Sequence, residues 1–284
     1  MSREEQSAKI EKFIKKMPSL STTVGKVMEI CSRTDASPNE LNRVISLDPV
    51  LTGQVLKLIN SAYYSLVNKV TSLTRAITML GVNTVKNMAL STAIVRTVSG
   101  AKKSKALPTQ KFWTHSIGVG VSAKLLAKEI DIPIMEREEL FVAGLLHDLG
   151  KIPFGDEYVE VLAKAKKEQR PLIEVEREEM GLDHQEVGMM IAEKWKLNEL
   201  ISNSIAYHHD VEKVPEDLRQ KLAIVALANI YTNIFDFGYA GDCFPGTSSL
   251  DGLLQTAGLS WDDFSSIGQD VEQEIEKAQI FLKI

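Results

Sequence analysis

Apolar side chains recur at spacings of three and four along nearly the whole chain, whereas strand-like alternation is scarce. In TTVGKVMEICS, for example, Val24 and Val27 fall on one face of a helix. Ser37 can cap the next helix, SPNELNRVISLD. Asp48-Pro49 ends that helix and begins another, VLTGQVLKLINSAYY. The pattern predicts an all-α protein.

The helical pattern is interrupted at two places that suggest subdomain boundaries. Five short helices are predicted over residues 17–100, with a stop at Gly81 and a cap at Asn83, and they form a compact bundle. The next segment, SGAKKSKALPTQ, contains three lysines and a proline, which indicates a linker. After the later helices, GYAGDCFPGTSSL is loop-like, and the chain closes from Ser260 as one or two amphipathic helices. We predict three units: an N-terminal helical subdomain (1–105), a second helical subdomain (106–240) and a C-terminal helical tail (241–284).

Composition narrows the class of protein. Of 284 residues, 25% are charged and 44% hydrophobic, which is typical of a soluble globular protein. The net charge of −5, from 33 basic and 38 acidic residues, gives no field that would attract nucleic acid or an anionic membrane, so neither is an expected partner.

The two cysteines, Cys31 and Cys243, are too few for a disulfide framework and wrongly spaced for a thiolate metal site. The N-terminus lacks the apolar core of a secretion signal, and no stretch reaches the roughly 18 apolar residues of a membrane span. We expect a cytoplasmic protein.

The five histidines all lie between residues 115 and 209, within one third of the chain, and are its strongest candidates for metal or catalytic chemistry. They are His115, His147, His184, His208 and His209. Except for the last two, each lies on or beside a different predicted helix, and side chains from separate helices can converge on one interior point. Imidazole nitrogen together with carboxylate oxygen suits iron, manganese or zinc. A metal site is therefore one hypothesis.

The two doublets are the most informative part of this pattern. Adjacent residues on a helix point about 100° apart. His147 and Asp148 can therefore share a site only if it lies over the helix end or holds two metals. His208-His209 repeats the geometry.

Each residue also has an ordinary structural explanation. The alternatives are a core histidine for His115, a first-turn position behind an Asp183 cap for His184, a solvated helix end for His208-His209, and a surface lysine after a Gly150 C-cap for Lys151. Taken singly, each residue favours its ordinary explanation. The concentration of all five histidines in one third of the chain favours a metal site.

Several longer motifs resemble a known family. They are LDPVLTGQVLKLINSAYYS, SLTRAITMLGVNTVKNMAL, FWTHSIGVG, LFVAGLLHDLGK, GLDHQEVG and AYHHD. Together, between residues 17 and 229, they resemble the HDOD proteins, the HD-related output domains of bacterial signalling. These are kin to the HD metal-dependent phosphohydrolases and the HD-GYP phosphodiesterases. The resemblance implies a compact multi-helix bundle of the HD-domain type with an N-terminal helical subdomain.

The resemblance also implies a ligand set for one or two divalent ions (Fe, Mn or Zn). The implied metal ligands are His115, His147, Asp148, His184, His208, His209 and, as a poor ligand, Asn229. Lys151 matches a lysine that contacts substrate phosphate in active members, so Lys151 and Asp148 would be the catalytic residues of an enzyme.

Three departures from the family pattern weaken the implication of catalysis. Asn229 stands where the HD superfamily carries its later aspartate, and a neutral amide is a poorer ligand than a carboxylate. The sequence after His209 has no GYP signature. Lys111 replaces the glutamate of three-metal members, so a third metal is not expected.

Two functions follow from the resemblance. The favoured one is a non-catalytic signal-transduction module that keeps the metal pocket, or a remnant of it, and contacts an unidentified partner protein through a surface formed with residues 17–100. Tyr63-Tyr64 could anchor such a contact or pack between helices. The alternative is a metal-dependent phosphohydrolase or phosphodiesterase acting on a nucleotide or cyclic nucleotide. The sequence leaves the oligomeric state open.

Overall fold

The computed structural model describes residues 3–31, 33, 37–99, 104–244 and 249–283. Within these residues the regular structure is helical, and strands are absent, which confirms the all-α prediction. None of the described helices combines the length and the apolar character needed to cross a membrane.

The α-helices follow one another along the chain with short connections. They are α1 (Arg3–Lys16), α2 (Thr22–Cys31), α3 (Pro38–Ser46), α4 (Pro49–Ile59), α5 (Leu73–Leu80), α6 (Val82–Ser99), α7 (Thr109–Glu129), α8 (Ile134–Leu146), α9 (Tyr158–Glu168), α10 (Leu172–Met180), α11 (His184–Trp195), α12 (Glu199–Tyr207), α13 (Glu216–Ile234), α14 (Leu250–Ala257), α15 (Trp261–Ser266) and α16 (Gly268–Ala278). Short 3-10 helices span Leu149–Glu157, Val211–Lys213 and Gln279–Leu282.

Helix starts follow the predicted caps in the first half of the chain. The Ser37 hydroxyl accepts a hydrogen bond from the Glu40 amide at 3.1 Å, and the Asp48 carboxylate accepts one from the Leu51 amide at 3.0 Å. These contacts satisfy amides that a helix leaves without an internal partner. The predicted Asn83 cap is wrong by two residues, because α6 begins at Val82 and its N-cap position is Gly81.

The fourth helix ends earlier than its apolar pattern predicts. The Asn60 side chain donates to the Leu56 carbonyl and also bonds both the amide and the carbonyl of Val70, each at 2.7 Å. This local bonding competes with continuation of the helix, so α4 stops at Ile59.

The Tyr63-Tyr64 pair therefore lies in a turn, where it packs inward. The Tyr63 ring contacts Phe141 of α8 and Phe281 of the C-terminal 3-10 helix, with centroids 5.3 and 5.6 Å apart. The Tyr64 hydroxyl donates to Glu138 at 3.1 Å. Of the two interpretations of this pair, interhelical packing is confirmed and the exposed contact anchor is wrong.

One apolar core runs through the three predicted units. Helix α1 lies against the second half of the chain, where the Trp195 indole donates to the Pro18 carbonyl at 3.1 Å and Lys194 donates to the Ile14 carbonyl at 2.6 Å. Helix α16 packs on α7 and the last 3-10 helix packs on α6. The closing helices thus pack on their own chain. Residues 100–103 of the predicted linker lie outside the described residues.

Helices α7 and α8 approach each other closely enough for their backbones to touch. A Cβ atom on Gly144 would lie 2.9 Å from the Gly120 Cα atom, and one on Gly120 would lie 2.7 Å from the Phe141 carbonyl oxygen. Only glycine allows this spacing. The close pairing places His115, on α7, beside His147, at the end of α8.

Candidate metal centre

The five histidine side chains lie together in one buried region, as their distribution over separate helices predicted. Ring centroids lie 5.6 Å apart for His115 and His147, 4.9 Å for His147 and His208, 5.2 Å for His184 and His208, and 4.3 Å for His208 and His209. Four separate helices supply these rings. Their assignment as metal ligands remains a prediction.

A change of helix type lets both members of the His147-Asp148 doublet reach this region. Helix α8 ends at Leu146 instead of continuing to Gly150, and a 3-10 helix begins at Leu149. Asp148, at the junction, has φ −98° and ψ 13°, outside the α-helical range. The constraint of about 100° between adjacent helical side chains therefore does not apply. Nε2 of His147 lies 3.2 Å from Oδ2 of Asp148.

Gly150 brings the same junction against the start of α11. A Cβ atom on Gly150 would lie 1.8 Å from the His184 carbonyl oxygen, so only glycine fits. Gly150 lies inside the 3-10 helix, and its interpretation as a C-cap is therefore wrong. The contact places Oδ1 of Asp148 3.7 Å from Nε2 of His184.

Asp148 occupies the middle of the cluster. Its Oδ1 atom faces His184 and His208, at 3.7 and 3.6 Å, while its Oδ2 atom faces His147 and His115, at 3.2 and 3.8 Å. Two groups of residues could each hold an ion, because within each group the donor atoms all lie within 4.8 Å of one another. One group is His184, His208 and His209, and the other is His115, His147 and Asp148 itself. This arrangement is compatible with one or two ions.

Hydrogen bonds at the outer ring nitrogens set the tautomers of three histidines. Nδ1 of His147 donates to the Gly144 carbonyl at 2.7 Å, and Nδ1 of His208 donates to the Ser204 carbonyl at 3.0 Å. Nδ1 of His184 contacts Glu176 at 2.5 Å. A carbonyl oxygen or an ionised carboxylate only accepts, so each Nδ1 carries a proton, and Nε2 presents a lone pair to the interior when the ring is neutral.

These lone pairs face one another and the central carboxylate. Nε2 of His184 and Nε2 of His208 lie 3.3 Å apart. Among the described residues, Nε2 of His115, Nε2 of His147 and Oδ1 of Asp148 are buried without a hydrogen-bond partner. Converging acceptors in a buried site are unfavourable unless a cation or a proton lies between them. The donor set therefore fits a divalent cation.

Three of the histidines are held near neutral pH as neutral imidazoles, the form that binds a metal ion. Burial, together with the neighbouring His147, lowers the pKa of His115 to about 3. Burial also lowers the pKa of His209 to about 4 and holds the pKa of His208 well below its ordinary value. For His184, burial is outweighed by Glu176, which raises the pKa. His184 is therefore the imidazole of these four that takes a proton first as the pH falls.

Lys151 is completely buried, so its interpretation as a surface lysine is wrong. Its Nζ atom donates to Oδ2 of Asp148 at 2.8 Å and also to Oδ2 of Asp242. Burial alone would lower the pKa of Lys151, but these two carboxylates raise it above its ordinary value. Lys151 is therefore an ammonium held between two carboxylates.

Two carboxylates of the site were missed from the sequence. Asp242 lies in the segment interpreted as a loop-like tail, and Glu176 lies in the highly charged stretch EVEREE, where nothing distinguishes it from its neighbours. Both Glu176 and Tyr158 are fully buried, and the Tyr158 hydroxyl donates to Glu176. Glu176 in turn orients His184.

The remaining site predictions have mixed outcomes. Asp183 caps α11 in a capping box, as the ordinary explanation of His184 required, yet His184 also faces the pocket. His208 is buried and His209 half-buried, so the solvated helix end is wrong. Buried Asn229 accepts a hydrogen bond from Asn233 at 3.1 Å through its amide oxygen.

A cavity of about 740 Å³ adjoins the cluster. His208, His209, Asn229 and Asp242 form its polar wall, and the apolar wall includes Ile230, Ile234, Tyr239, Phe244, Leu250 and Leu253. The volume falls within the range of small-molecule pockets.

The helical fold and the buried His-Asp pocket define a protein of the HD-domain type. The family model of the HDOD domain matches residues 17–211, and the chain belongs to the HDOD family. This confirms the resemblance found in the sequence.

Solved structures share the fold over nearly the whole chain. An HDOD domain protein of unknown function from Geobacter sulfurreducens is 26% identical, with 98% of each chain covered and a TM-score of 0.77. A Shewanella amazonensis protein described as a "Putative phosphohydrolase" is 21% identical, with 96% of this chain and 98% of that chain covered and a TM-score of 0.72; it supports the fold alone.

An uncharacterised protein of Treponema pallidum (strain Nichols) is a longer relative. It is 25% identical over 236 residues, which cover 81% of this chain and 45% of the relative. The chain thus spans less than half the length of that relative.

Proposed function

We propose that this protein is an HDOD signal-transduction module whose buried pocket binds a divalent cation without hydrolysing a substrate. The proposal rests on the charge balance of the pocket, on the position of Lys151 and on family membership. Each supports a different part of it.

The charge balance supports cation binding. The buried carboxylates of Asp148, Asp242 and Glu176 stand against the single ammonium of Lys151 in the same cluster, so three negative charges minus one positive charge leave two when the imidazoles are neutral. Uncompensated charge in a buried site is costly, and a dication removes that cost. When bound, the cation supplies the positive charge around which the imidazoles and Asp148 are arranged.

The position of Lys151 is the observation that carries the non-catalytic part of the proposal. A lysine that stabilises a phosphoryl group must present its ammonium to the substrate. Here the Lys151 side chain is 0% exposed and is paired with Asp148 and Asp242. A phosphoryl group in the adjoining cavity would have to displace Asp242 first. Asn229 is also neutral, so it lacks the negative charge with which a carboxylate would hold a catalytic metal firmly.

The partner surface is proposed to lie on the first half of the chain. Several large apolar side chains in that half stay exposed in the described structure: Leu47, Val50, Val67 and Met79. Exposed apolar groups that do not join the core are available for protein contacts.

Metal content and turnover together test the proposal. We expect protein purified without chelators to carry about one or two Fe, Mn or Zn ions per chain by elemental analysis. The His147→Gln, Asp148→Asn double variant should lose them, and an exposed control, Asp270→Asn, should keep them. In the presence of Mn²⁺, wild type should hydrolyse bis(p-nitrophenyl) phosphate no faster than Asp148→Ala. Metal-free wild type, or turnover that depends on Asp148, would overturn the proposal.

A metal-dependent phosphohydrolase is the second candidate, favoured by the cavity. His208 and His209 line its wall directly, so a phosphoester placed there would contact the metal centre. The assay extends to nucleotides and cyclic nucleotides, and turnover of any of them lost in Asp148→Ala would support the enzyme.

A further inference from the structure

Asp242 enters the site from outside the helices that carry the histidines. It lies in the segment 235–244 that follows α13. The Tyr239 amide donates to the Lys111 carbonyl on α7 at 3.0 Å. Gly238 presses against the same helix, where a Cβ atom would lie 2.3 Å from the His115 amide nitrogen. The segment is therefore docked on α7 beside His115.

The docked segment places its carboxylate on Lys151. Nζ of Lys151 contacts Oδ2 of Asp242 and, at 2.8 Å, Oδ2 of Asp148. The Asp242 side chain is only 8% exposed, so this contact is shielded from solvent. Lys151 thus connects the central carboxylate of the cluster to a second carboxylate at the cavity wall.

The contact between Lys151 and Asp148 opposes cation binding. Oδ2 of Asp148 faces His115 and His147, so a cation between these groups would share that oxygen with the ammonium. Two positive charges on one buried oxygen repel strongly. Lys151 must therefore weaken its contact with Asp148 when a cation binds, and a buried ammonium needs another anionic partner to do so.

We propose that Asp242 is a positioning residue for the metal centre: it accepts the hydrogen bond of Lys151 and balances its charge when a divalent cation binds Asp148. This inference rests on the proposed cation binding. Asn229 cannot play this part, because its amide is neutral and its oxygen already accepts from Asn233. Asp242 acts through Lys151 and not as a ligand.

The first test measures Mn²⁺ affinity by calorimetry on the chelator-treated full chain. Asp242→Asn should weaken Mn²⁺ binding about 10- to 100-fold, the usual effect of losing a residue that supports the metal ligands without binding the metal. Asp236→Asn, which removes an exposed carboxylate from the same segment, should bind as wild type. Asp242→Glu keeps the charge and should stay within about threefold of wild type.

A double-variant cycle tests whether Asp242 acts through Lys151. In a Lys151→Met background the competing ammonium is gone, so adding Asp242→Asn should change the affinity less than about threefold. An equally large loss in that background would overturn the proposal, because Asp242 would then act directly. Equal affinity of wild type and Asp242→Asn would overturn it as well.

A structure of the wild-type protein with Zn²⁺ supplies a test that does not depend on how the variants fold. We expect Nζ of Lys151 within hydrogen-bond distance of Asp242 and no longer on Oδ2 of Asp148. Lys151 still on Asp148, with Asp242 turned away, would overturn the inference while leaving cation binding intact. Wild type that binds neither Mn²⁺ nor Zn²⁺ would overturn the proposed function and the inference together.

Discussion

Glu176 accepts hydrogen bonds from both Nδ1 and the backbone amide of His184, at 2.5 and 2.9 Å. The same carboxylate accepts from the Tyr158 hydroxyl. Helices α9, α10 and α11 thus cooperate to fix one imidazole, with its Nε2 lone pair directed at Asp148. A carboxylate behind a ligating histidine fixes the tautomer and raises the basicity of the ligand.

Replacing Glu176 by Gln should therefore weaken Mn²⁺ binding about 10- to 100-fold with little change in shape, because the amide is isosteric but uncharged. Calorimetric titration of chelator-treated protein measures this. Glu174→Gln, an exposed change on the same helix, is the matched control. Undiminished affinity in Glu176→Gln would mean that His184 does not need this partner.

Replacing Gly150 by Ala should destabilise the fold by at least about 2 kcal/mol, the cost of overpacking a closely packed contact. The added Cβ atom would meet the His184 carbonyl oxygen at 1.8 Å and force the 3-10 helix away from α11. Urea denaturation of chelator-treated protein gives the free energy of unfolding, and Mn²⁺ titration reports the displaced site.

Gly53→Ala is the control for this change. Gly53 lies exposed within α4, and a Cβ atom there meets nothing within 4 Å. It should stabilise the helix by about 0.5–1 kcal/mol. Similar effects of the two substitutions would contradict the close contact.

The metal-free protein should lose stability as the pH falls below about 6.5, the ordinary pKa of histidine. Burial lowers the pKa of His115 to about 3 and of His209 to about 4, and also lowers that of His208. Between 6.5 and these values the unfolded chain binds more protons than the folded one, so acid favours unfolding. His184 acts in the opposite direction, because its pKa is raised.

Urea denaturation with a chelator at pH 7.5, 6 and 5 measures this dependence. Each histidine with a lowered pKa contributes a slope of about 1.4 kcal/mol per pH unit. His115→Gln should reduce the slope by about one such contribution. A free energy of unfolding that stays constant down to pH 5 would show that these imidazoles are not buried as neutral groups.

A mostly buried ion pair of the second helical subdomain (106–240) is linked to the N-terminal subdomain (1–105) through Tyr64. Glu138 of α8 lies 2.5 Å from Lys124 of α7, and it also accepts from the Tyr64 hydroxyl at 3.1 Å. Glu138→Ala should cost about 2–3 kcal/mol, less than the loss for a fully buried pair because Lys124 is one quarter exposed.

Tyr64→Phe, which removes one hydrogen bond, should cost about 1 kcal/mol by urea denaturation. Glu136→Ala breaks an exposed ion pair with Lys221 and should cost less than about 1 kcal/mol. A cost for Glu138→Ala no larger than that for Glu136→Ala would show that the contacts of Glu138 with Lys124 and Tyr64 do not stabilise the fold.

The sequence by itself determined the helices, most of their caps and the inward convergence of the histidines. Helical periodicity and the Ser37 and Asp48 caps depend on residues that are close in sequence, so they can be predicted without knowing the fold. The histidines could be predicted to meet because all five lie within one third of the chain, with two doublets and on several different helices.

Only the tertiary structure decided what surrounds those histidines. Asp242 and Glu176 reach the site through packing between distant segments, and a charged residue in a charged stretch carries no local sign of burial. The same holds for Lys151, whose burial between two carboxylates depends on the close contact of Gly150 with α11. Local patterns determine helices because their hydrogen bonds are local, whereas burial and charge pairing depend on which surfaces meet.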